Sequence, residues 1–390
     1  MNEDLKSLRA VIAGLKAQLQ ELSLAIWSHP ETAWQEFFAA AEAKKYLEKQ
    51  GFAVESGCFG VETAFKCEYG NGNSPCVAIA AEYDALPEIG HGCGHNLICV
   101  AGIAAFIALA EKLKNSNIPG KVILLGTPAE EGAGGKVRML ANGCLDGVDA
   151  AMMLHPNTVN ATDSGSTANA GLEVVFHGRS AHAAASPEKG VNALDAVNLL
   201  FAAVGAFRQQ MPGCAMIHGI ITNGGAAPNI IPDRAVCRFY LRTADETYAE
   251  ELERRFRNMV KGAELMTDCT AEIAPFRERY AARKPNAAMN EEYAANMEAL
   301  GLEVRRPERQ GKGSSDFGNF SQKVPGIHPY FALSEDVLPY PAHSVGFRDA
   351  SATDYAFENA MNGAASMAQT LWKFITDEKF RAEVKKDFEK

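Results

Sequence analysis

The sequence predicts an α/β protein in which a smaller domain is inserted into a larger one built on a mostly parallel sheet. Three observations support this prediction. Short apolar runs alternate with helical patterns over about the first 165 residues. The polar, small-residue stretch TDSGSTANAG then interrupts the pattern. After it, strands and helices follow in the order β-α-β-β-α-β, before helices and short apolar strands return after about residue 280.

The larger domain is predicted to begin with two helices. Apolar residues recur at helical spacing from about Glu3 to Trp27, and a second helix runs through WQEFFAAAEAKKYLEKQ and ends at Gly51. The apolar run CVAIAAEY predicts a strand that is buried on both faces. A helix of small residues follows from about Asn96 to Leu113, and the pieces KVILLGTP and DAAMML predict two further strands.

The inserted domain is predicted from six consecutive segments. They are the strand GLEVVFHG, the helix VNALDAVNLLFAAVGAFRQQ, the strands AMIHGIIT and AVCRFYLR, the helix TYAEELERRFRNMVKG and the strand CTAEIAPF. This is a ferredoxin-like order, and its length of about 110 residues is sufficient for one α+β domain. We therefore assign residues 167–279 to the inserted domain and residues 1–166 and 280–390 to the larger one.

Composition and charge exclude several classes of protein. The 390 residues are 47% hydrophobic, which is too apolar for a disordered chain. The net charge of −10 makes the chain a poor general ligand for nucleic acid or an anionic membrane. We find neither the order of residues typical of a signal peptide nor a run of about 18 apolar residues that would predict a transmembrane helix. Nine scattered cysteines without a CxxC pair indicate free thiols in a reducing, cytoplasmic setting.

The first group of candidate site residues lies in EYDALPEIGHGCGHN, which follows a buried strand. Open α/β sheets bind ligands at the carboxyl ends of their strands, and this segment brings Asp84, Cys93 and His95 there. Glycines on both sides of Cys93 allow alternate side chains to converge, and thiolate and imidazole are good ligands for zinc and similar metals. The alternative is a glycine turn with a buried cysteine and a solvated histidine.

The second group is the adjacent pair Glu130 and Glu131 in GTPAEEGAGGK, again directly after a strand. Two carboxylates this close require a cation or a raised pKa. A metal ligand beside a general base would satisfy that requirement, and a solvated acidic loop is the alternative. A phosphate-binding loop is not favoured, because the GxxxxGK[ST] spacing is absent.

Several single residues extend these groups. His155 in MMLHPN follows another apolar run and His343 lies in YPAHSVGF; each alone would more often be structural. Together with the first two groups they predict a metal site with two ions. In the inserted domain, His182 follows a strand, Asn229 lies after the NGGAAP turn, and Arg242 ends a strand, where it could clamp a carboxylate or form a surface ion pair.

The sequence resembles the aminoacylase-type family of dinuclear metallopeptidases and amidohydrolases. The best match is the branch with hippurate hydrolases, indole-acetyl-amino-acid hydrolases, aminobenzoyl-glutamate hydrolases and Xaa-Arg dipeptidases. The matching segments span nearly the whole chain: HPETAWQE, EYDALPEIGHGCGHN, TPAEEGAGGK, LHPN, GRSAHAAASPEKGVNALDA, NGGAAPNIIPDRA and SSDFGNFSQKVPGIHPYF. This chain reads GHGCGHN where many members read GHACGHD, and Asn96 matches the dipeptidase and aminobenzoyl-glutamate end of the branch.

The resemblance implies a role for each matching residue of the larger domain. Five side chains would bind two divalent metal ions, zinc or alternatively manganese or cobalt: Cys93, His95, Glu131, His155 and His343. Glu130 would be the general base, and Asp84 would orient a metal ligand. Gly318 would line the pocket through its backbone.

The resemblance also implies a role for the inserted domain, as a lid and as the interface of a homodimer. His182 would reach the active site of the partner subunit and stabilise the developing oxyanion. Asn229 and Arg242 would hold the carboxylate of the substrate.

We therefore expect a metal-dependent hydrolase that cleaves the amide bond of a dipeptide or an N-acyl amino acid, with Glu130 taking a proton from the attacking water. The alternative is a non-catalytic small-molecule-binding protein on the same scaffold, which would have no need of Glu130. A redox or dinucleotide enzyme would require a CxxC pair or a GxGxxG motif, and the sequence has neither.

Overall fold

The computed structural model describes residues 1–70, 72, 74–308, 311 and 313–390. Contacts divide the chain into two units. The larger comprises Met1–Gly165, Arg283–Gly311 and Ser315–Lys390, and the smaller comprises Ser166–Ala282 with the short segment that ends at Ser314. The sequence puts the boundaries at 166/167 and 279/280, and it does not predict that last segment.

The strands of the described residues follow in chain order. They are β1 (Val54–Ser56), β2 (Phe65–Gly70), β3 (Cys76–Ala81), β4 (Lys121–Gly126), β5 (Ala150–Met152), β6 (His155–Asn157), β7 (Ala168–His177), β8 (Ala215–Asn223), β9 (Arg234–Thr243), β10 (Thr270–Pro275), β11 (Gly326–Ile327) and β12 (Tyr330–Ala332).

The helices are also numbered along the chain. They are α1 (Glu3–Ser28), α2 (Phe37–Lys49), α3 (His95–Lys114), α4 (Gly135–Ala141), α5 (Ala193–Phe207), α6 (Glu246–Thr267), α7 (Ala287–Ala299), α8 (Phe317–Ser321), α9 (Val345–Ala350), α10 (Asp354–Thr376) and α11 (Glu378–Phe388). Two single 3₁₀ turns, Pro187–Lys189 and Arg208–Gln210, lie in the smaller unit.

The main sheet of the larger unit has the strand order β1-β2-β4-β3-β5-β11. Strands β4, β3, β5 and β11 run parallel, and β1 and β2 form an antiparallel edge, so the predicted mostly parallel sheet is confirmed. Residues alternate between the two faces of β3: Val77 and Ile79 join one hydrophobic core, and Ala78 and Ala80 join a second. Both faces are therefore covered, which explains why β3 is an uninterrupted apolar run.

Helix α3 is the centre of the larger core. It packs against α1, α10 and β3, and it is apolar around its whole circumference because protein surrounds it. By length and composition alone, α3 is the one helix of the described residues that could cross a membrane. However, 89% of its most apolar stretch is buried within the protein, which is the environment of a core helix.

Helix α2 begins later than the sequence predicts. It starts at Phe37 rather than at Trp34, because Trp34 has a φ of 68°, in the left-handed region. The Glu31 carboxylate accepts hydrogen bonds from the backbone N–H groups of Phe38 and Ala39 at 2.9 and 3.0 Å, and so caps the helix.

The smaller unit is the predicted β-α-β-β-α-β arrangement. Its four strands form an antiparallel sheet in the order β10-β7-β9-β8, and helices α5 and α6 cover one face. Phe239 on β9 packs against Phe256 on α6, with ring centroids 5.0 Å apart. Strand β8 lies at the edge of this sheet, and its Ile220 and Ile221 are exposed.

Candidate metal centre

The candidate centre lies in the larger unit, beyond the carboxyl ends of β3 and β4. Glu82 and Asp84 directly follow β3, and Glu130 and Glu131 follow β4. Helix α3 begins at His95 after Gly94, which has a φ of 69°. A Cβ on Gly94 would lie 2.7 Å from a side-chain carbon of Pro156, so the close approach of this turn to strand β6 requires glycine.

Six predicted side chains of this unit come together. Three overlapping groups have ligand atoms within 4.8 Å of one another: Cys93 with His95 and His155, Cys93 with Glu131 and His343, and His95 with Glu130 and Glu131. Cys93, His95 and Glu131 each belong to two groups, which is an arrangement suited to two neighbouring cations.

The polar atoms at the middle of the cluster lack hydrogen-bond partners among the described residues. His95 Nε2, Glu131 Oε1 and Glu82 Oε2 are all buried and unsatisfied. His95 Nε2 lies 3.4 Å from Glu82 Oε2 and 3.9 Å from Glu131 Oε1, and His343 Nε2 lies 3.5 Å from the same Glu131 atom. Buried polar atoms are normally paired, so unsatisfied nitrogen and oxygen ligands around one space fit divalent metal ions.

Neighbouring groups fix the orientation of the buried His95 and the half-buried His155. His95 Nδ1 donates to Asp84 Oδ1 at 2.9 Å, and His155 Nδ1 donates to the carbonyl of Pro156 at 2.7 Å. Each bond leaves the Nε2 lone pair directed away from the partner and available to a metal. The other Asp84 oxygen accepts the backbone N–H of Glu131 at 2.8 Å, so one carboxylate orients two candidate ligands.

The two adjacent glutamates have opposite electrostatic environments. Burial and the charges of Glu82, Glu131 and Asp316 hold the pKa of Glu130 well above its ordinary value. Burial would also raise the pKa of Glu131, but His343 and the charge of His95 outweigh it and lower that pKa to about 2. Neighbouring carboxyls with widely separated pKa values are typical of a pair that divides proton transfer and charge stabilisation between its members.

Sequence reasoning missed a buried ion cluster beside this centre. Lys136 Nζ lies 2.5 Å from Glu82 Oε1 and 2.7 Å from Asp316 Oδ1, and all three side chains are completely inaccessible to solvent. The second Asp316 oxygen accepts the backbone N–H of Lys136 at 2.9 Å. Glu82, Asp316 and Glu130 have carboxylate oxygens within 4.8 Å of one another. A lysine in a glycine-rich loop usually faces solvent, so the sequence carries no signal for this cluster.

A second missed residue is His328 in GIHPYF. Its ring stacks on that of His155, with centroids 5.0 Å apart, and neither of its buried nitrogens has a partner among the described residues. Burial and the charge of Arg283 hold its pKa well below the ordinary value, so the ring is neutral. Its backbone N–H donates to Asp163, which is ion-paired with Arg283 at 3.0 Å. His328 therefore supports one face of the His155 ring.

Gly318 also lies in the larger unit, in helix α8. Its N–H donates to the carbonyl of Ser315, and its own carbonyl accepts from Gln322 and Ser321. Because both backbone groups are engaged within the helix, the predicted pocket contact would have to come from the Cα.

The remaining predicted residues belong to the smaller unit. His182 is exposed, and its Nδ1 accepts the N–H groups of Ala184 and Ala185 at 3.2 Å, which leaves Nε2 to point outward. The Asn229 carbonyl accepts the N–H of Ala183 at 3.0 Å, so His182 and Asn229 lie on two paired segments. The half-buried Arg242 of β9 donates to Ser314 Oγ at 3.3 Å.

Known proteins resemble this chain over most of its length. The model of peptidase family M20/M25/M40 matches residues 78–356. An Xaa-Arg dipeptidase of Mus musculus is 36% identical over 386 residues, covering 95% of this chain and 89% of the relative. A p-aminobenzoyl-glutamate hydrolase polypeptide of Escherichia coli is 36% identical over 266 residues, covering 63% and 55%. Among solved structures, a dinuclear metal-binding peptidase of the M20 family from Bacillus subtilis has a TM-score of 0.66 at 19% identity, covering 93% and 98%, which supports the fold.

Proposed function

Because the chain belongs to peptidase family M20/M25/M40 and is a metal-dependent hydrolase of amide or peptide bonds, we propose that it cleaves dipeptides or N-acyl amino acids at the cluster around Glu130. The observation that carries this proposal is the set of buried, unsatisfied polar atoms of His95, Glu82 and Glu131 beside the Glu130 carboxyl, whose pKa is held well above its ordinary value by burial and by neighbouring carboxylates. A non-catalytic binding protein would have no use for that carboxyl, so this alternative is not favoured.

The donor set supports two divalent ions, and we propose zinc, with manganese or cobalt as alternatives. Five residues would hold them: Cys93, His95, Glu131, His155 and His343. When bound, such ions polarise a carbonyl and lower the pKa of a water molecule. A thiolate together with imidazoles favours zinc over harder cations, and elemental analysis of the purified protein would identify the metal.

Glu130 is the proposed general base. It would accept a proton from the attacking water at a carboxylate oxygen and deliver it to the nitrogen of the leaving amine. Asp84 keeps the neighbouring Glu131 and His95 in place through hydrogen bonds of 2.8 and 2.9 Å, so that Glu130 can serve in proton transfer while its neighbour serves as a ligand.

The smaller unit supplies the proposed substrate contacts. The Arg242 guanidinium and the Asn229 side chain would bind the substrate carboxylate, and the outward Nε2 of His182 would donate to the oxyanion in the active site of the partner subunit. Carboxylate recognition fits the activities for which both relatives are named, since an Xaa-Arg dipeptide and an aminobenzoyl-glutamate each end in a free carboxylate. We therefore choose alanyl-arginine and p-aminobenzoyl-glutamate as the first two test substrates.

A homodimer is proposed through the smaller unit. Strand β8 lies at the edge of its sheet among the described residues, and Ile220, Ile221 and Ile230 are exposed on this unit. Exposed edge strands with apolar side chains are typical sites of pairing between chains. We also propose a cytoplasmic location, supported by nine cysteines that form no disulfide, eight of them buried.

The decisive experiment compares the wild-type protein with Glu130→Gln on the two test substrates. General acid–base catalysis contributes roughly 10²–10⁴-fold, so the variant should lose at least about 10²-fold in kcat while its metal content stays unchanged. Wild-type activity in Glu130→Gln would remove the assigned base. A metal-loaded wild-type protein that binds but hydrolyses neither substrate, nor other members of a dipeptide and acyl-amino-acid panel, would instead favour the binding-protein alternative.

A further inference from the structure

Glu36 is a fully buried carboxylate whose hydrogen bonds reach three different parts of the chain. Its Oε1 accepts the backbone N–H of Trp34 at 3.0 Å and the backbone N–H of Ala129 at 2.9 Å. Its Oε2 accepts the hydroxyl of Thr63 at 2.9 Å. The side chain is completely inaccessible to solvent. The Glu36 carboxylate therefore connects three segments by hydrogen bonds: the turn before α2, the loop before β2 and the loop after β4.

Glu36 does not form the helix-capping hydrogen bond that its position in the sequence predicts. It occupies the residue before α2, where an acidic side chain normally caps its own helix, yet it makes no capping hydrogen bond. Glu31 caps α2 instead, through the N–H groups of Phe38 and Ala39. One bond of Glu36 is directed instead to the loop that carries Glu130.

The backbone at Ala129 needs such support. Its φ of 61° lies in the left-handed region, which is unfavourable for a residue with a Cβ. Strained backbone of this kind persists only where surrounding groups hold it. Ala129 directly precedes Glu130, and on the other side Asp84 accepts the N–H of Glu131 at 2.8 Å. Two buried carboxylates thus hold the amides on both sides of Glu130.

We propose that Glu36 is a positioning residue for the hydrolytic reaction: by holding the amide of Ala129, it fixes the direction in which the Glu130 carboxylate points. It does not touch substrate or metal. This inference rests on the proposed role of Glu130 as the base. A misplacement of about 1 Å at a reacting group can cost roughly 10²-fold in rate, which sets the size of the expected effect.

The test compares Glu36→Ala, Glu36→Gln and Glu36→Asp with a matched control, Glu31→Ala, which removes the cap of the same helix but does not touch the loop. Glu36→Ala should lower kcat on alanyl-arginine or p-aminobenzoyl-glutamate by roughly 10²-fold, with KM within about 3-fold and an unchanged metal content. Glu36→Gln keeps an acceptor oxygen for both amides and should retain most of kcat. Glu31→Ala should lose thermal stability and keep its kcat.

Hydrogen exchange supplies a readout that does not depend on turnover. Peptides covering 127–135 should exchange faster in Glu36→Ala than in the wild type or in Glu31→Ala, both with and without metal. If Glu36→Ala fails to fold, Glu36→Asp serves instead, because its shorter side chain keeps the charge but withdraws from Ala129; its kcat should fall about 10-fold.

Three results would overturn the positioning role. They are a wild-type kcat in a folded Glu36→Ala or Glu36→Asp variant, a loss in Glu36→Gln as large as in Glu36→Ala, and a loss fully explained by missing metal. Glu130→Gln separates this inference from the proposed function. If Glu130→Gln is inactive while Glu36→Ala is fully active, only the positioning role fails; if Glu130→Gln is active, the base assignment itself fails.

Discussion

Replacement of Lys136 by methionine tests the buried ion cluster beside the candidate metal centre. The Lys136 ammonium lies between Glu82 Oε1 at 2.5 Å and Asp316 Oδ1 at 2.7 Å, with no solvent contact for any of the three side chains. Methionine has a similar length and fills most of the same space. The variant therefore removes the cation and leaves two buried carboxylates at close quarters without their shared ammonium partner.

The expected loss of stability follows from that geometry. Removing one partner of a buried ion pair costs about 3–5 kcal/mol, because the remaining charge is uncompensated. Here two carboxylates lose their partner, but each can escape part of the cost by taking up a proton, since burial already raises the pKa of both Glu82 and Asp316. We expect a loss of about 4 kcal/mol at pH 7. Because the unfolding entropy of a 390-residue chain corresponds to about 1.2 °C per kcal/mol, Tm should fall by about 5 °C.

The pH dependence gives the sign of the effect. Carboxyls whose folded-state pKa is raised contribute stability below their unfolded pKa and lose it as the pH rises through the folded pKa. Without Lys136, both pKa values rise further. The variant should therefore regain stability relative to the wild type as the pH falls from 7 toward 5, because its carboxyls become neutral.

Denaturant unfolding of three variants would measure these quantities. Lys136→Met is compared with the combined variant Glu82→Gln/Lys136→Met/Asp316→Asn, which removes every charge of the cluster and should recover most of the lost stability. Lys45→Met is the surface control: its exposed contact with Glu42 at 3.2 Å should be worth less than about 1 kcal/mol. A loss below about 1 kcal/mol for Lys136→Met, or an equally large loss for the combined variant, would refute the reasoning.

Three further predictions concern the metal, the pH response and the oligomer. Cys93→Ser should bind fewer divalent ions than the wild type in elemental analysis, because the sulfur belongs to two of the three ligand groups; unchanged stoichiometry would contradict its role. Burial and the charge of Asp84 raise the pKa of Glu36 from 4.5 to about 7. The free energy of unfolding of the wild type should therefore fall by about 3 kcal/mol relative to that of Glu36→Gln as the pH rises from about 5 to 8. A difference between the two unfolding free energies that stays constant with pH would contradict this. Ile220→Lys should shift the protein toward monomer in light scattering while leaving its circular dichroism unchanged, and a dimer of undiminished stability would exclude the β8 edge as the interface.

The layered fold and the chemistry of the strand ends could be predicted from the sequence because both are local signals. The apolar run before Glu82 identified a doubly covered strand, and adjacent charges at Glu130 and Glu131 required a cation or a perturbed pKa. The structure agrees on both points, since β3 is buried throughout and the two glutamates have opposite pKa shifts.

The supporting residues could not be predicted, because each acts through a partner distant in sequence. The role of Lys136 is evident only from its ion pair with Asp316, which lies 180 residues later in the sequence. Glu36 reads as part of an amphipathic helix, and its amide partner Ala129 is 93 residues away. Residues that carry out the chemistry can be identified in the sequence from their residue type and spacing. Residues that hold them in position can be identified only from their contacts in the folded structure.

The two-sided packing of α3 has a consequence for the order in which the protein can be made. Its neighbour α1 is synthesised before it, but α10 begins at Asp354, after the whole of the smaller unit. At a rate of synthesis of roughly 5–20 residues per second, the apolar surface of α3 stays uncovered by α10 for roughly 15–50 s.

The smaller unit is nearly continuous in sequence and can complete its sheet within that interval. Biosynthesis should therefore produce a transient species in which the inserted unit is folded while the surrounding unit still exposes α3. We expect chaperones to bind such a species through its exposed apolar surface, and a chain interrupted before Asp354 should accumulate as aggregate rather than as a truncated enzyme.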